Sequence, residues 1–253
     1  MAVELPWIRP TSQPALVHGE VHVWRVPLKA SASSLSSFAD LLSDEECARA
    51  GDYSFARERD RYTLFRGILR HLLGGYLGLD PRDLPLTCGP FGKPMIAQGN
   101  RIPSLFFNVA HSQDLGLIAV ARDRPVGIDV EAVRASFDWT AIAERFFSAR
   151  EFESLFALPT SQQAEAFVVL WTRKEACLKA VGSGLASGLE QVEVSTDFRR
   201  DAKLLGAPPE MLPLSRWKLH DLRPADGYRC CLVVESQDVL LKQWVWQECP
   251  AQG

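Results

Sequence analysis

The chain has 253 residues, a formal net charge of −3 and 47% hydrophobic residues. That suffices for one large domain or two small ones with ordinary globular cores. The slight acidity argues against a broad basic face for sequence-independent nucleic-acid binding, though not against a local basic pocket.

No apolar run approaches the ~20 residues of a membrane span, so no membrane partner is expected. The opening "MAVELPWIRP" has neither a basic start nor an apolar stretch, so no secretory leader is expected. The six cysteines (Cys47, Cys88, Cys177, Cys230, Cys231 and Cys249) form no C-x-x-C pair and no metal-ligand spacing. Dispersed thiols suit the cytoplasm, where they act as small apolar residues.

In chain order, "HGEVHVWRVPL" (18–28) alternates like a strand through Val21, Val23 and Val26. Ser43 followed by acids marks a helix start. Leu64, Ile68, Leu69, Leu72 and Leu73 have helical spacing, and Gly74-Gly75 is the expected weak end of that helix. The Gly- and Pro-rich stretch 85–104 reads as a loop with short strands. "LFFNVAHS" and "GLIAVARD" read as strands joined at Gln113-Asp114, and "RPVGIDVEAV" as another. "DWTAIAERFFSAREFESLFAL" is helical, and "SQQAEAFVVLWTRKEACLKAVG" is a strong helix ended by Gly182-Ser183-Gly184. "LEQVEVS", "RWKLHDL", "GYRCCLVVES" and "VLLKQWVWQE" read as strands. A long helix followed by short strands thus occurs twice. The expected fold is α+β, in two similar halves (1–124 and 125–253), each with a long helix on a small antiparallel sheet.

Five features carry candidate chemistry. In "GIDVE", Asp129 and Glu131 are two apart, so on a strand they share a face. Two such carboxylates repel unless a cation or donors intervene, which suits Mg²⁺; a solvated strand face would carry the same pair. In "WTRKEACLK", Trp171, Glu175 and Lys179 are four apart on one helix face. They make either a further metal carboxylate with a phosphate-binding lysine or a surface ion pair. "GPFGKP" lacks the spacing of a nucleotide P-loop, but Gly92 and Pro94 could stiffen a loop that aims Lys93. "NVAHS" places His111 and Ser112 at a strand end, and Arg57, Arg59 and Arg61 cluster at a helix start, where an anion would relieve their repulsion.

In this order, the basic helix start, G-K-P loop, N-x-x-H-S, G-I-D-x-E and W-x-x-K-E-x-x-x-K resemble the 4'-phosphopantetheinyl transferase superfamily, specifically its long, surfactin-synthetase-type branch. The resemblance covers roughly residues 43–195. "VGIDVE" and "FVVLWTRKEACLKAVGSGL" are specific together. It implies pseudo-twofold tandem halves and an enzyme that moves the phosphopantetheine arm of coenzyme A to a serine of an apo acyl or peptidyl carrier protein, releasing 3',5'-ADP.

It also implies roles for named residues. Asp129, Glu131 and Glu175 would hold Mg²⁺ on the CoA diphosphate, with Lys179 on the same phosphates and Glu175 as the base, directly or through water. His111 with Ser112 would take the 3'-phosphate. Lys93 and Arg61 would line that pocket, Arg49 is a looser candidate, and the loop through Pro94 would pass the adenine. One departure is Ala110, where the family often has Ser. The implied partners are coenzyme A and a carrier, with no nucleic acid, and the implied state is a monomer. The carrier is expected at the cleft between the halves, against the segment from Ala135 to Phe147. There Phe137, Trp139, Ile142, Phe146 and Phe147 offer apolar surface, while Arg134 and Arg145 offer charge. Two other readings fit the residues: a non-catalytic CoA- or carrier-binding module, and another Mg-dependent diphosphate enzyme such as a CoA hydrolase.

Overall fold

The computed structural model describes residues 5–247 apart from 30, 90–91, 98–104, 123, 135, 183–187 and 199. Predicted features at Ser183-Gly184, 98–104, Ala135 and Cys249 lie outside the described residues.

The fold is α+β and has four layers. Strand β1 (Glu20–Pro27) is followed by helices α1 (Ala32–Ala39), α2 (Asp44–Gly51) and α3 (Ala56–Leu77). A small hairpin, β2 (Leu86–Cys88) and β3 (Pro94–Ile96), leads to the long hairpin β4 (Phe106–Ser112) and β5 (Leu115–Ala121). Then come β6 (Val126–Ala132), α4 (Thr140–Phe146), α5 (Ala149–Phe156) and α6 (Thr160–Val181). The chain closes with β7 (Glu193–Val194), β8 (Leu204–Gly206), β9 (Lys218–Leu222), β10 (Tyr228–Val234) and β11 (Leu240–Val245).

One sheet has the order β11-β1-β5-β4 and the other β6-β10-β9. Strand alternation sorts the side chains into three cores. Trp24, Val26, Ile118 and Val120 meet Leu64, Ile68 and Leu72 of α3. Val21, Val23, Leu117 and Ala119 meet Ile128, Val130 and Leu232 between the sheets. Leu219, Cys231 and Val233 meet Leu170, Cys177 and Leu178 of α6.

The structure differs from the sequence reading in several places. Gly74-Gly75 does not end α3, which runs to Leu77 and caps on left-handed Gly78 (φ 68°). Glycine inside a helix costs about 1 kcal/mol, but packing requires it here: a Cβ on Gly74 would lie 2.9 Å from the Leu79 carbonyl oxygen. The segment 138–158 is two helices, because Ser148 opens a new one with a capping box to Glu151. In "LEQVEVS", Leu189–Gln191 is a 3-10 turn and only Glu193–Val194 is strand. The serine-rich helix α1 has no apolar periodicity to announce it. The expectation of purely antiparallel sheets also fails, since β11 pairs parallel with β1. That strand returns from the far end of the chain by a long connection, which parallel pairing needs. Among the described residues, no helix is long and apolar enough to cross a membrane.

Candidate functional site

The site forms where β6 runs under α6. Contact there is close because residue 127 is glycine: a Cβ would lie 2.1 Å from the Ala176 carbonyl oxygen. Ile128 and Val130 point into the core between the sheets. Asp129 and Glu131, alternating with them, therefore lie on the α6 side. Asp129 and Glu175 are buried, and Glu131 is half-buried.

Lys179, one turn beyond Glu175, donates to Asp129 Oδ1 at 2.6 Å. The other oxygen, Oδ2, is buried with no hydrogen-bond partner among the described residues. Burial, then the charges of Asp129 and Glu131, push Glu175 up to about 8, against the opposing pull of Lys179. Burial and the charge of Asp129 also raise Glu131, against the hydrogen bond from Ser112. Burial opposes the charge on Lys179, but Asp129, Glu175 and Glu131 outweigh it and raise its pKa. The seam thus carries three carboxyls and one ammonium, with excess demand for positive charge.

That demand fits a divalent cation. Among the described residues, no three histidine, cysteine or carboxyl side chains are gathered closely enough to cage a metal by themselves. Mg²⁺ rarely uses such a cage: it takes one or two carboxylates plus waters and substrate phosphates. An orphaned Asp129 oxygen beside a Glu175 that resists ionisation is a donor set of that kind.

The N-x-x-H-S segment joins the two sheets. Asn108 Oδ1 accepts from the Ile128 N–H at 2.8 Å, and Ser112 Oγ accepts from the Ala132 N–H at 3.2 Å. Both side chains thus stand in for ladder bonds along β6. Ser112 spends its own proton on Glu131 Oε2, at 2.7 Å, which fixes that carboxylate. His111 points the other way, edge-on to Phe65 with ring centroids 5.9 Å apart. Desolvation, then the charges of Lys179 and Arg61, lower its pKa.

At the tip of the same hairpin, Asp114 accepts from Arg61 and from Arg57 (3.0 Å) and pairs with Lys29 (3.0 Å). Those bonds, led by Lys29 and Arg61, hold its carboxyl well below the usual range. One carboxylate among three cations leaves the tip basic. The basic helix start is legible in the sequence, whereas the partnership of Asp114 and Lys29 is not. A turn aspartate looks like turn chemistry alone until folding carries it 53 residues across the chain to Arg61.

Two other predicted residues have protein partners of their own. Lys93 donates to the main-chain carbonyls of Lys179 and, at 3.5 Å, Ala180. Arg49 is exposed on α2, its guanidinium over the Tyr62 ring at 5.9 Å. Pro94 opens β3 beside Lys93. In the Ala135–Phe147 segment, Phe147 is buried, Trp139, Ile142 and Phe146 are half-buried against the α6 core, and Phe137 is 46% exposed. Arg145 lies over the Phe146 ring at 4.9 Å.

The sequence reading also missed the inner residues of "WTRKE". Lys174 is wholly buried and donates to Glu151 Oε2 at 2.9 Å and to the Val192 carbonyl. Arg173 is equally buried and donates to Asp221 Oδ1 at 3.0 Å and to the Ser195 carbonyl. These two cations anchor α6 to its surroundings, while Glu175 and Lys179 face the seam.

A family model described as the 4'-phosphopantetheinyl transferase superfamily matches residues 125–233. Among curated relatives, the 4'-phosphopantetheinyl transferase HetI from Nostoc sp. is 41% identical, over 94% of this chain and 97% of its own. The 4'-phosphopantetheinyl transferase Sfp from Bacillus subtilis is 29% identical, over 79% of this chain and 85% of its own. The L-aminoadipate-semialdehyde dehydrogenase-phosphopantetheinyl transferase from Homo sapiens is 28% identical, over 60% of this chain and 52% of its own.

Proposed function

This chain belongs to the 4'-phosphopantetheinyl transferase superfamily, and on that premise we propose how its seam moves the phosphopantetheine arm of coenzyme A to a carrier-protein serine. The observation that carries the proposal is the grouping of Lys179, Asp129 and the charge-resistant Glu175 on one side of the sheet junction, with His111 and the Arg61 cluster on the other. A ligand with a diphosphate and a separate phosphate needs two such ends.

Asp129, Glu131 and Glu175 would hold Mg²⁺, which supplies charge neutralisation on the diphosphate and its leaving oxygen. Lys179 binds the same diphosphate. His111 and Arg61 hold the 3'-phosphate, and Ser112 acts through Glu131 rather than on the ligand. The carrier serine oxygen forms a bond to the β-phosphorus, the bond to the bridging oxygen breaks, and 3',5'-ADP leaves. Glu175 takes the serine proton, directly or through a water. Its carboxyl has a proton affinity suited to that work near neutral pH in the metal-free chain, and a bound cation lowers it.

The two helix-on-sheet units act as tandem, pseudo-twofold related halves, 1–124 and 125–253, although β11 joins the first unit's sheet. Because one chain supplies both sides of the cleft, a monomer suffices. The carrier docks beside Phe137 and Arg145, which project from the segment after β6.

The test is direct. The chain is incubated with coenzyme A, Mg²⁺ and a purified apo acyl or peptidyl carrier, and the carrier's intact mass is measured. A gain equal to the phosphopantetheine arm is expected. Binding of both partners with no gain would leave a non-catalytic module, and cleavage of coenzyme A with no carrier product would leave a hydrolase.

A further inference from the structure

Lys93 directly precedes β3, yet its ammonium sits on the other helix-and-sheet unit. Gly92 takes a left-handed conformation (φ 75°), and the Gly89 N–H donates to the Lys93 carbonyl at 2.8 Å. Pro94 restricts the backbone of Lys93 before it, and Leu86 and Ile96 anchor the hairpin against the α3 core. The bond from Gly89 and the pairing of β3 with β2 therefore hold the Lys93 backbone in place.

What it reaches is the last turn of α6. A helix leaves its final carbonyls without intrahelical donors and carries negative partial charge at that end. Left-handed Gly182 satisfies Leu178 through its own N–H. The carbonyls of Lys179 and Ala180 take the Lys93 ammonium instead. Lys179 is thus gripped twice, by its carbonyl to Lys93 and by its ammonium to Asp129. The two ammonium groups are close enough that the charge of Lys179, added to burial, brings Lys93 down to about 8.

We propose that Lys93 is a positioning residue, which clamps the C-terminal turn of α6 and so sets where Lys179 delivers its charge, rather than a direct phosphate ligand. The inference rests on the transferase reading for the role of Lys179, but the clamp itself does not depend on any substrate.

The test uses the full chain with Lys93→Met, which keeps the apolar stem and removes the donor, and Lys93→Arg, which keeps a donor. In the transfer assay, Lys93→Met should lower kcat about tenfold, on the scale of misplaced catalytic groups. Its KM for coenzyme A should stay within about twofold, as expected when ground-state binding is untouched. Lys93→Arg should recover most of the loss. In a Lys179→Ala background, Lys93→Met should add less than about twofold, because the two changes remove one function.

Without substrate, the amides of Leu178–Gly182 should exchange faster in Lys93→Met than in the wild type. A raised KM for coenzyme A that is absent with dephospho-CoA would make Lys93 a phosphate ligand and overturn the clamp. So would an unchanged kcat, a full additional loss in the Lys179→Ala background, or unchanged amide exchange. Lys93→Gln enters the same assays if the Met variant does not fold. If the wild type transfers nothing, the proposed function fails alone, and the exchange measurement still decides the clamp.

Discussion

Helices α3 and α6 are both 22 residues long, and both end on a left-handed glycine, Gly78 and Gly182. Each is preceded by a short helix whose capping-box glutamate turns inward to a cation on the long helix. Glu46 accepts from the Ser43 N–H and from Arg66 and Arg70, and Glu151 from the Ser148 N–H and Lys174. The same polar anchor thus fastens both helices, yet the faces beneath differ. Helix α3 lays Leu64, Ile68 and Leu72 on its sheet, whereas α6 carries Glu175 and Lys179 over Asp129 and Glu131. Anchoring and face chemistry are separable: buried ion pairs hold each helix, and of the two it is α6 that lays carboxyl and ammonium groups over acidic strand residues.

The two anchors should not fail equally. Arg70 keeps the carbonyls of Pro81 and Leu84 at 2.9 and 3.2 Å, whereas among the described residues the wholly buried Lys174 keeps one carbonyl, that of Val192, and the Phe147 ring at 5.6 Å. Glu151→Ala should therefore cost about 3–5 kcal/mol, as expected when a buried charge loses its partner, and Glu46→Ala less. Urea denaturation of both variants checks the order, and equal losses would break the distinction.

On the proposed function, the face with Glu175 and Lys179 should fail in activity instead. Asp129→Ala and Glu175→Gln should reduce carrier modification by about 10²–10³-fold, the scale of losing a preorganised charge-stabilising group. Glu175→Gln should also melt a few degrees higher than the wild type in metal-free protein at pH 9, because it removes a carboxylate that its neighbours repel. Near-normal turnover of Asp129→Ala at saturating Mg²⁺ would separate the seam from catalysis.

The basic tip on the first unit should read the 3'-phosphate. A charge-assisted hydrogen bond is worth about 1.5–3 kcal/mol, so dephospho-CoA should bind at least about tenfold more weakly than coenzyme A by calorimetry. The gap should shrink in His111→Ala; equal affinities in the wild type would move that phosphate elsewhere.

Acid sharpens the anchor comparison further. Burial alone would raise Glu46, but the Ser43 N–H, Arg70 and Arg66 outweigh it and hold it below the ordinary 4.5. A depressed carboxyl contributes stability that is full above about pH 4.5 and is lost as pH falls through the folded value. The acid limb of the stability profile should therefore be shallower in Glu46→Gln than in the wild type. The smallest effect is expected at the rim: Arg145→Glu should raise KM for the carrier a few-fold and leave coenzyme A affinity unchanged.

Much of the site could be read from residue order alone. Period-two alternation placed Asp129 and Glu131 on one face, and helical spacing placed Glu175 and Lys179 on another. The element types of the long hairpin and the two long helices were legible for the same reason: their pattern repeats locally over many residues. What the tertiary structure decided is which partners those side chains meet. Ser112 donates to Glu131, 19 residues on, and Lys93 reaches the carbonyls of Lys179 and Ala180, 86 and 87 residues further along the chain; neither partner is visible in the local pattern. Lys174 sits one residue from Glu175 in the motif, yet it points to Glu151 inside the protein. A side chain's face follows from local geometry, which the sequence carries. Its hydrogen-bond partner is chosen only when distant elements pack and every buried donor must find an acceptor.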